Sequence, residues 1–491
     1  MARVVVLGAG IAGHTAAMHL RRKLSRHKHE VVVVSPRADW NWVPSNIWVG
    51  TGKMNKKEVV FPLAPLYKRK GVIFHQAAAK IIYPEGRGDD PKPQVEIEFT
   101  GGKNEGRRAL VHYDYLINAT GPLLNFKATP GLGPDAGNSY SVCTADHAEQ
   151  TGKAFQEIVA AMKEMPEGAP KKRFLIGTGN GSCTCQGAAF EYCFNTEYDL
   201  RQAGVRDKAE VVYITNEAQL GDFGMNGMMF KDNGYATDSQ LWTESLFRER
   251  GVKAITGAGV REVRKDGVTW EDFDGNMHEL PFDFAMLLPP FSGIPLEAKK
   301  ADGTDIPEMF NAGGFMKVDG DYSPKSPEEW SHKDWPKTYQ SPLYPNIFAA
   351  GIAFAPPHGI SKPHKTPNGT NITPAPPRTG MPSGSIGKEV AMSIVDLINK
   401  GPNAKLHEAS MAVLGAACVA STGTGFKKGS AAAMVMFPIV PNFDEYPENA
   451  GRHPNLSFGK IGLFGHWTKF LLHVGFIYKA KWKPFWWIIP E

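Results

Sequence analysis

Five thiols are the most reactive side chains of this chain: Cys143, Cys183, Cys185, Cys193 and Cys418. Two of them, Cys183 and Cys185, follow the glycine turn Gly177-Thr178-Gly179-Asn180-Gly181 and lead into the apolar run QGAAFEYCF. A thiol at a helix N-terminus is held as thiolate by the helix dipole, which suits a redox nucleophile better than a structural cysteine. A bridge between Cys183 and Cys185 would be strained, because cysteines so close in sequence do not reach disulfide geometry easily. The turn thus offers a thiol nucleophile at Cys183 or Cys185. Six residues on, Glu191 sits among apolar side chains on the same segment. Taken alone it reads as an ordinary surface or capping glutamate, although burial there would raise its pKa. The cysteines are too few for a disulfide scaffold in a chain this long, and none stands at zinc-ligand spacing, so no metal is expected. His358 and His364 lie in a Pro-rich loop and read as solvated.

Two repeats of one plan must position these groups. Residues 3–7, RVVVL, form a buried strand, and Gly8, Gly10 and Gly13 follow as G-x-G-x-x-G. The helical pattern TAAMHLRRKL and a second strand, EVVVVS, come next. This strand–turn–helix–strand context makes the glycine motif a dinucleotide site. Gly8 makes the tight turn, Gly10 admits a pyrophosphate, and Gly13 lets helix and strand pack closely. The acid that usually ends the second strand is missing; Ser35 stands there instead. A second unit starts with the strand RFLI (173–176), continues through the cysteine turn, and reaches the strand VVYIT (211–215) with Glu217 just beyond. Between them, YDYLINATGP (113–122) runs an apolar strand into Thr120 and Gly121, the kind of segment that returns to FAD in flavoproteins with two dinucleotide units.

The fold class expected is α/β, with two interleaved Rossmann-like dinucleotide-binding domains and a C-terminal membrane-surface helical region. Its expected divisions are a first FAD-binding segment at 1–145 and a second Rossmann-like domain at 146–300. A return to the FAD domain at 301–400 and a redox-cysteine and anchor segment at 401–491 complete it.

Composition, 42% hydrophobic and 21% charged, excludes a disordered or collagen-like chain, and a net charge of +5 gives no argument for nucleic acid. The start MARVVVLGAG has no signal-peptide pattern, and no apolar run approaches the 18 or so residues of a spanning helix. The stretch 461–491 interleaves Phe464, Trp467, Phe470, Phe476, Tyr478, Trp482 and Trp486 with Lys469, Lys479, Lys481 and Lys483. Aromatics with lysines mark the headgroup region of a bilayer, so an interfacial anchor is expected, against the alternative of a helix packed on the protein's own core.

In order along nearly the whole chain, VPSNIWVGTG (43–52), SVCTADHA (141–148), CQGAAFEY (185–192), LGDFGMNGM (220–228), FDFAMLLPPFSG (282–293), YPNIFAAGIA (344–353), HKTPNGTNITPAPPRTGMPSG (364–384) and the stretch around Cys418 resemble the sulfide:quinone oxidoreductase family. The resemblance implies a pair of redox cysteines, Cys185 and Cys418, holding a bridge of sulfur atoms on one flavin face. It implies a covalent tether for FAD at Cys143 and an acid/base role for Glu191 near flavin and quinone. It brings Gly351, Ile352 and Lys365 to the flavin, and a quinone-side lysine among Lys479, Lys481 and Lys483. Sulfide and a membrane quinone are the implied substrates. The protein would be a peripheral, monotopic protein of the cytoplasmic membrane, on either face, and a homo-oligomer, dimer or trimer. Three rivals stay open: a type II NADH:quinone oxidoreductase using Glu217 for a ribose, the flavoprotein subunit of a flavocytochrome c sulfide dehydrogenase, and a membrane scaffold with a relic flavin site.

Overall fold

The computed structural model describes residues 1–181, 186–232, 234–378, 380–424 and 428–491; Cys183 and Cys185 lie outside them. Ala2–Leu7 is the middle of the first sheet, since its run of aliphatic side chains can be covered on both faces. The parallel order is Ile347–Ala349, Tyr115–Asn118, Ala2–Leu7, His29–Ser35, Ile73–Tyr83, with Val6 aligned between Val33 and Ile117. Gln94–Phe99 and Arg108–His112 extend it antiparallel. The helices Ile11–Lys23 and Gly380–Lys400 pack on each other at close range: a Cβ on Gly387 would stand 2.4 Å from the Ala12 carbonyl oxygen.

A second, fully parallel sheet runs Lys253–Ile255, Ala209–Ile214, Lys172–Thr178, Phe284–Leu288. The helix Gln186–Gln202 follows its Lys172–Thr178 strand. The chain leaves the first sheet after Tyr115–Asn118 and returns first at Glu297–Ala298, beside Ile73–Tyr83, and then at Ile347–Ala349, so the two nucleotide-type units interleave as expected. The outgoing and returning connections pair as Pro122–Leu124 with Phe291–Gly293.

The C-terminal region holds the expected helix, Leu463–Ala480, and beside it a sheet. Ala416–Thr424 and Lys428–Met436 form a hairpin, joined by Phe458–Gly462 and by the second unit's own Met229–Asp232 and Tyr235–Asp238 in one five-stranded sheet. The expected division at 300 therefore cuts through a shared sheet. Small residues decide this. The Leu463–Ala480 helix lies so close on the hairpin that a Cβ on Gly465 would stand 2.9 Å from that of Ala431. Ala431 and Ala433, on the same face of the strand, supply the room. Among the described residues, no helix is long and apolar enough to cross a membrane.

Candidate active site

The first glycine turn has the shape of a dinucleotide cradle. Gly8, at φ +97°, approaches the Ala119 carbonyl so closely that a Cβ would stand 2.1 Å from its oxygen; a Cβ on Gly13 would be equally close to the Gly8 oxygen. Around Gly10 and Gly121 the space is open, with no atom within 4 Å of the Cβ position. Gly10 caps Ile11–Lys23 without any side-chain bond, leaving the first-turn N–H groups to a ligand. Open glycines at an uncapped helix N-terminus fit a pyrophosphate. Ser35 ends its strand buried, and Thr120 donates its hydroxyl hydrogen to Asn118 Oδ1 at 2.8 Å. Gly351, at φ +66°, brings the returning segment against Ala12, and Arg378 Nη1 donates to the Ile352 and Phe354 carbonyls at 3.0 and 2.6 Å. Lys365 does not join this group. It is exposed, and its loop is fastened elsewhere: Thr366 and Thr370 each donate to Glu271 at 2.6 Å, and Asn368 at 3.1 Å.

Cys143 is half-buried, its N–H donating to Ser141 Oγ at 3.2 Å, one residue before the cap Thr144 of the helix Ala145–Lys163. Cys418 sits on Ala416–Thr424 with its sulfur over the first turn of Gln186–Gln202. A Cβ on Gly187 would lie 2.6 Å from Cys418 Sγ. The tertiary structure thus carries Cys418 to the helix that begins just after Cys185.

Glu191, one turn further along that helix, is buried. Its Oε2 is 2.9 Å from Lys469 Nζ, and its Oε1 accepts from the Ser421 N–H at 3.4 Å. Burial raises its pKa above the usual carboxylate value, and the Lys469 charge opposes the rise. Lys469 is not among the three lysines expected near a quinone. Of those, Lys479 is tied to Glu491 at 2.7 Å and to the Ile489 carbonyl, Lys481 lies over the Phe61 ring, and Lys483 is exposed. The signal was present as a pattern: His466, Lys469 and His473 share one helical face. All three are buried, His466 Nδ1 at 2.6 Å from Ser421 Oγ and His473 Nδ1 at 2.8 Å from Ser45 Oγ. Phe464, Phe470, Leu471, Val474 and Tyr478 are exposed. The helix therefore turns its polar stripe into the protein and its apolar stripe outward.

Residues 2–288 match the family described as pyridine nucleotide-disulphide oxidoreductase. The chain belongs to that family. Within it, the chain is 28% identical to the sulfide-quinone reductase of Aquifex aeolicus over 478 residues, 97% of this chain and 91% of that protein. It is 26% identical to the mitochondrial sulfide:quinone oxidoreductase of Mus musculus over 71% of this chain and 64% of that protein. The X-ray structure of the Aquifex aeolicus sulfide:quinone oxidoreductase superposes with a TM-score of 0.74 at 27% identity, covering 98% of this chain and 92% of that one. NDH2 from Plasmodium falciparum shares the fold at TM-score 0.62 and 13% identity, over 98% and 96% of the two chains.

In the second nucleotide-type unit, Glu217 is engaged by the protein's own residues. Glu217 is buried and accepts from Phe223 N–H at 2.6 Å, Thr215 Oγ1 at 2.8 Å and Tyr213 O–H at 3.4 Å. Burial first, and Asp222 second, push its pKa up to about 8. Its neighbour Asn216 donates to the Gly181 and Thr373 carbonyls at 3.1 and 3.2 Å. Ile372 of the same Pro-rich loop packs on Gly259.

Proposed function

We propose that the protein is an FAD-dependent sulfide:quinone oxidoreductase bound to the membrane surface. The observation that carries this reading is the Gln186–Gln202 helix. Cys418 meets its first turn, and its Glu191 pairs with Lys469 of a helix whose outer stripe is apolar. One helix thus connects thiol chemistry to a lipid-facing element. The inward Glu217 argues against the NADH-oxidising alternative, because a buried carboxyl already accepting three internal bonds has little left for a ribose.

In this reading Gly8, Gly10, Gly13, Ser35, Thr120, Gly121, Gly351 and Ile352 hold FAD, and Cys143 tethers it covalently. FAD supplies a two-electron carrier between sulfur and quinone. Hydrosulfide attacks a disulfide or longer bridge between Cys185 and Cys418. One sulfur–sulfur bond breaks as another forms, leaving a persulfide on one cysteine and a thiolate on the other. Sulfur leaves as polysulfide or on an acceptor thiol, and the electrons end on the quinone. Glu191 and Lys469 stand as acid/base groups for the quinone oxygens. The outward stripe Phe464, Phe470, Leu471, Val474 and Tyr478 lies in the lipid headgroup region, and the assembly is a dimer or trimer.

Anaerobic titration of the flavin absorption band tests this. Sulfide should bleach the wild type and leave Cys185→Ser and Cys418→Ser oxidised, while NADH leaves all three unchanged. Bleaching by NADH in wild type and variants alike would replace this reading with the NADH dehydrogenase one.

A further inference from the structure

Reducing a quinone consumes two protons as well as two electrons, and an apolar helix face is a poor source of protons. Glu191, with a side chain only 7% exposed, cannot collect them from bulk water directly. The helix that carries it also carries Asn195 and Asp199 at successive intervals of four, so the three share one face. Asn195 donates through Nδ2 to the Glu191 carbonyl at 2.9 Å and the Ser421 carbonyl at 2.8 Å. Those bonds aim its Oδ1 away, where it accepts from Lys53 Nζ at 3.1 Å. The same ammonium is 2.7 Å from Asp199 Oδ1. Lys53 comes from the turn after the helix Asn46–Val49 and also lies over the Tyr198 ring. Its side chain and that of Asp199 keep 12% and 14% exposure, so this end of the row touches water. Asp199 Oδ2 is buried with no hydrogen-bond partner among the described residues, an atom ready to carry a proton.

We propose that Asp199 and Lys53 form the path by which protons from the aqueous side refill Glu191 during quinone reduction. The idea rests on the quinone-reducing reading above. Glu191, as a carboxylic acid, gives its proton to the reduced quinone oxygen and becomes a carboxylate. Lys53 swings its ammonium off Asn195 and returns a proton to Glu191. Asp199, a carboxylate while it pairs with the ammonium, takes up a proton from solvent and passes it to the Lys53 amine. No electrons move in these steps, and water supplies every proton.

Among the described residues, the charged and titratable groups around Glu191 are Lys469 directly, Lys53 from the turn, and His466 through Ser421. His473 stands one turn beyond Lys469 on the same helix. Burial raises the pKa of Glu191 and of Asp199 and lowers that of Lys53, with the Lys53–Asp199 attraction opposing the last two shifts. Acids and base are drawn closer in proton affinity, which eases transfer between them.

The test isolates the quinone half-reaction. Purified holoenzyme is reduced with stoichiometric dithionite and mixed in stopped flow with a short-chain ubiquinone analogue, in water and in deuterium oxide. Lys53→Met and the isosteric Asp199→Asn should slow flavin reoxidation at least tenfold, raise the solvent isotope effect, and recover partly with added imidazole. Their reduction by sulfide should match wild type. Lys56→Met, which removes an exposed lysine paired with Asp146, should behave as wild type. Unchanged reoxidation in both variants overturns the path. Slowing without an isotope effect or rescue, in Asp199→Asn of normal Tm, assigns the pair a structural role and overturns it too. A wild type that quinone fails to reoxidise instead removes the quinone reading itself.

Discussion

Glu191 and Lys469 are 278 residues apart in the chain and 2.9 Å apart in space, both nearly closed to solvent. A buried ion pair gives little net stability over apolar residues of the same size, but removing one partner strands the other. Glu191→Gln leaves the buried Lys469 ammonium without its counter-charge, so it should lower Tm while slowing quinone-driven flavin reoxidation by roughly 100-fold, the lower range for loss of a general acid. Lys469→Met should cost stability, up to about 3 kcal/mol, partly relieved because Glu191 can take up a proton. Thermal denaturation beside stopped-flow reoxidation separates the two effects.

Cys418 and Gly187 give a second test. Alanine ordinarily favours a helix over glycine by about 1 kcal/mol. At position 187 its methyl would meet Cys418 Sγ at 2.6 Å, and overpacking of that kind costs about 1–3 kcal/mol. Gly187→Ala should thus lower Tm slightly and, more sharply, cut sulfide-driven flavin reduction at least tenfold while flavin content holds. Normal sulfide reduction in this variant would show that Cys418 does not work at this helix.

Glu217 predicts a pH dependence of stability. Its folded pKa, about 8, lies above the ordinary carboxylate value of 4.5, so the folded state holds a proton that the unfolded state has released between those pH values. This contribution is fully present below pH 4.5 and is lost as pH rises through about 8. Glu217→Gln keeps the neutral shape and should raise Tm at pH 8.5 while changing little at pH 4.5. An identical pH profile for both proteins would refute the assignment.

His14 works in the opposite direction. Buried against the Ile11–Lys23 helix, it bonds Tyr67 O–H and the Ala480 carbonyl, each at 2.8 Å, which a neutral ring can satisfy as acceptor and donor. Burial lowers its pKa to about 4 from 6.5, so its stabilising share is present above pH 6.5 and disappears as pH falls through about 4. The size is about 3 kcal/mol at most. Acid should loosen the end of the Leu463–Ala480 helix first, seen as faster amide exchange near Ala480, and His14→Gln should flatten that dependence.

The outward stripe of the same helix predicts lipid binding. Each large apolar side chain returned to water from lipid forfeits about 1.5–3 kcal/mol. A Phe470→Ser/Leu471→Ser double variant should lose vesicle co-flotation by more than 100-fold in partition coefficient, with flavin reduction by sulfide intact in detergent. Equal flotation of variant and wild type would place the lipid contact elsewhere.

What the amino-acid order determined by itself is local. RVVVL, Gly8, Gly10, Gly13 and EVVVVS announce a dinucleotide fold because strand burial, glycine turns and helix periodicity are decided within a few residues. Glu191 was legible only through the family resemblance, because an acid on such a helix, taken alone, reads as an ordinary surface or capping glutamate. Folding decided which distant groups meet. Nothing near Cys418 in the chain points to Gly187, and nothing near Lys469 points to Glu191. The hairpin Ala416–Thr424 with Lys428–Met436 was hidden as well, because its alanines, serines and glycines lack the alternation that marks a strand. Lys365 shows the converse: it lies in a stretch that reads as flavin-side loop, yet its neighbours Thr366 and Thr370 find Glu271 on the second unit. A side chain's partner depends on how whole sheets and helices pack. Buried charges such as Glu191 and Lys469 must find each other because the desolvated interior leaves them no water to turn to.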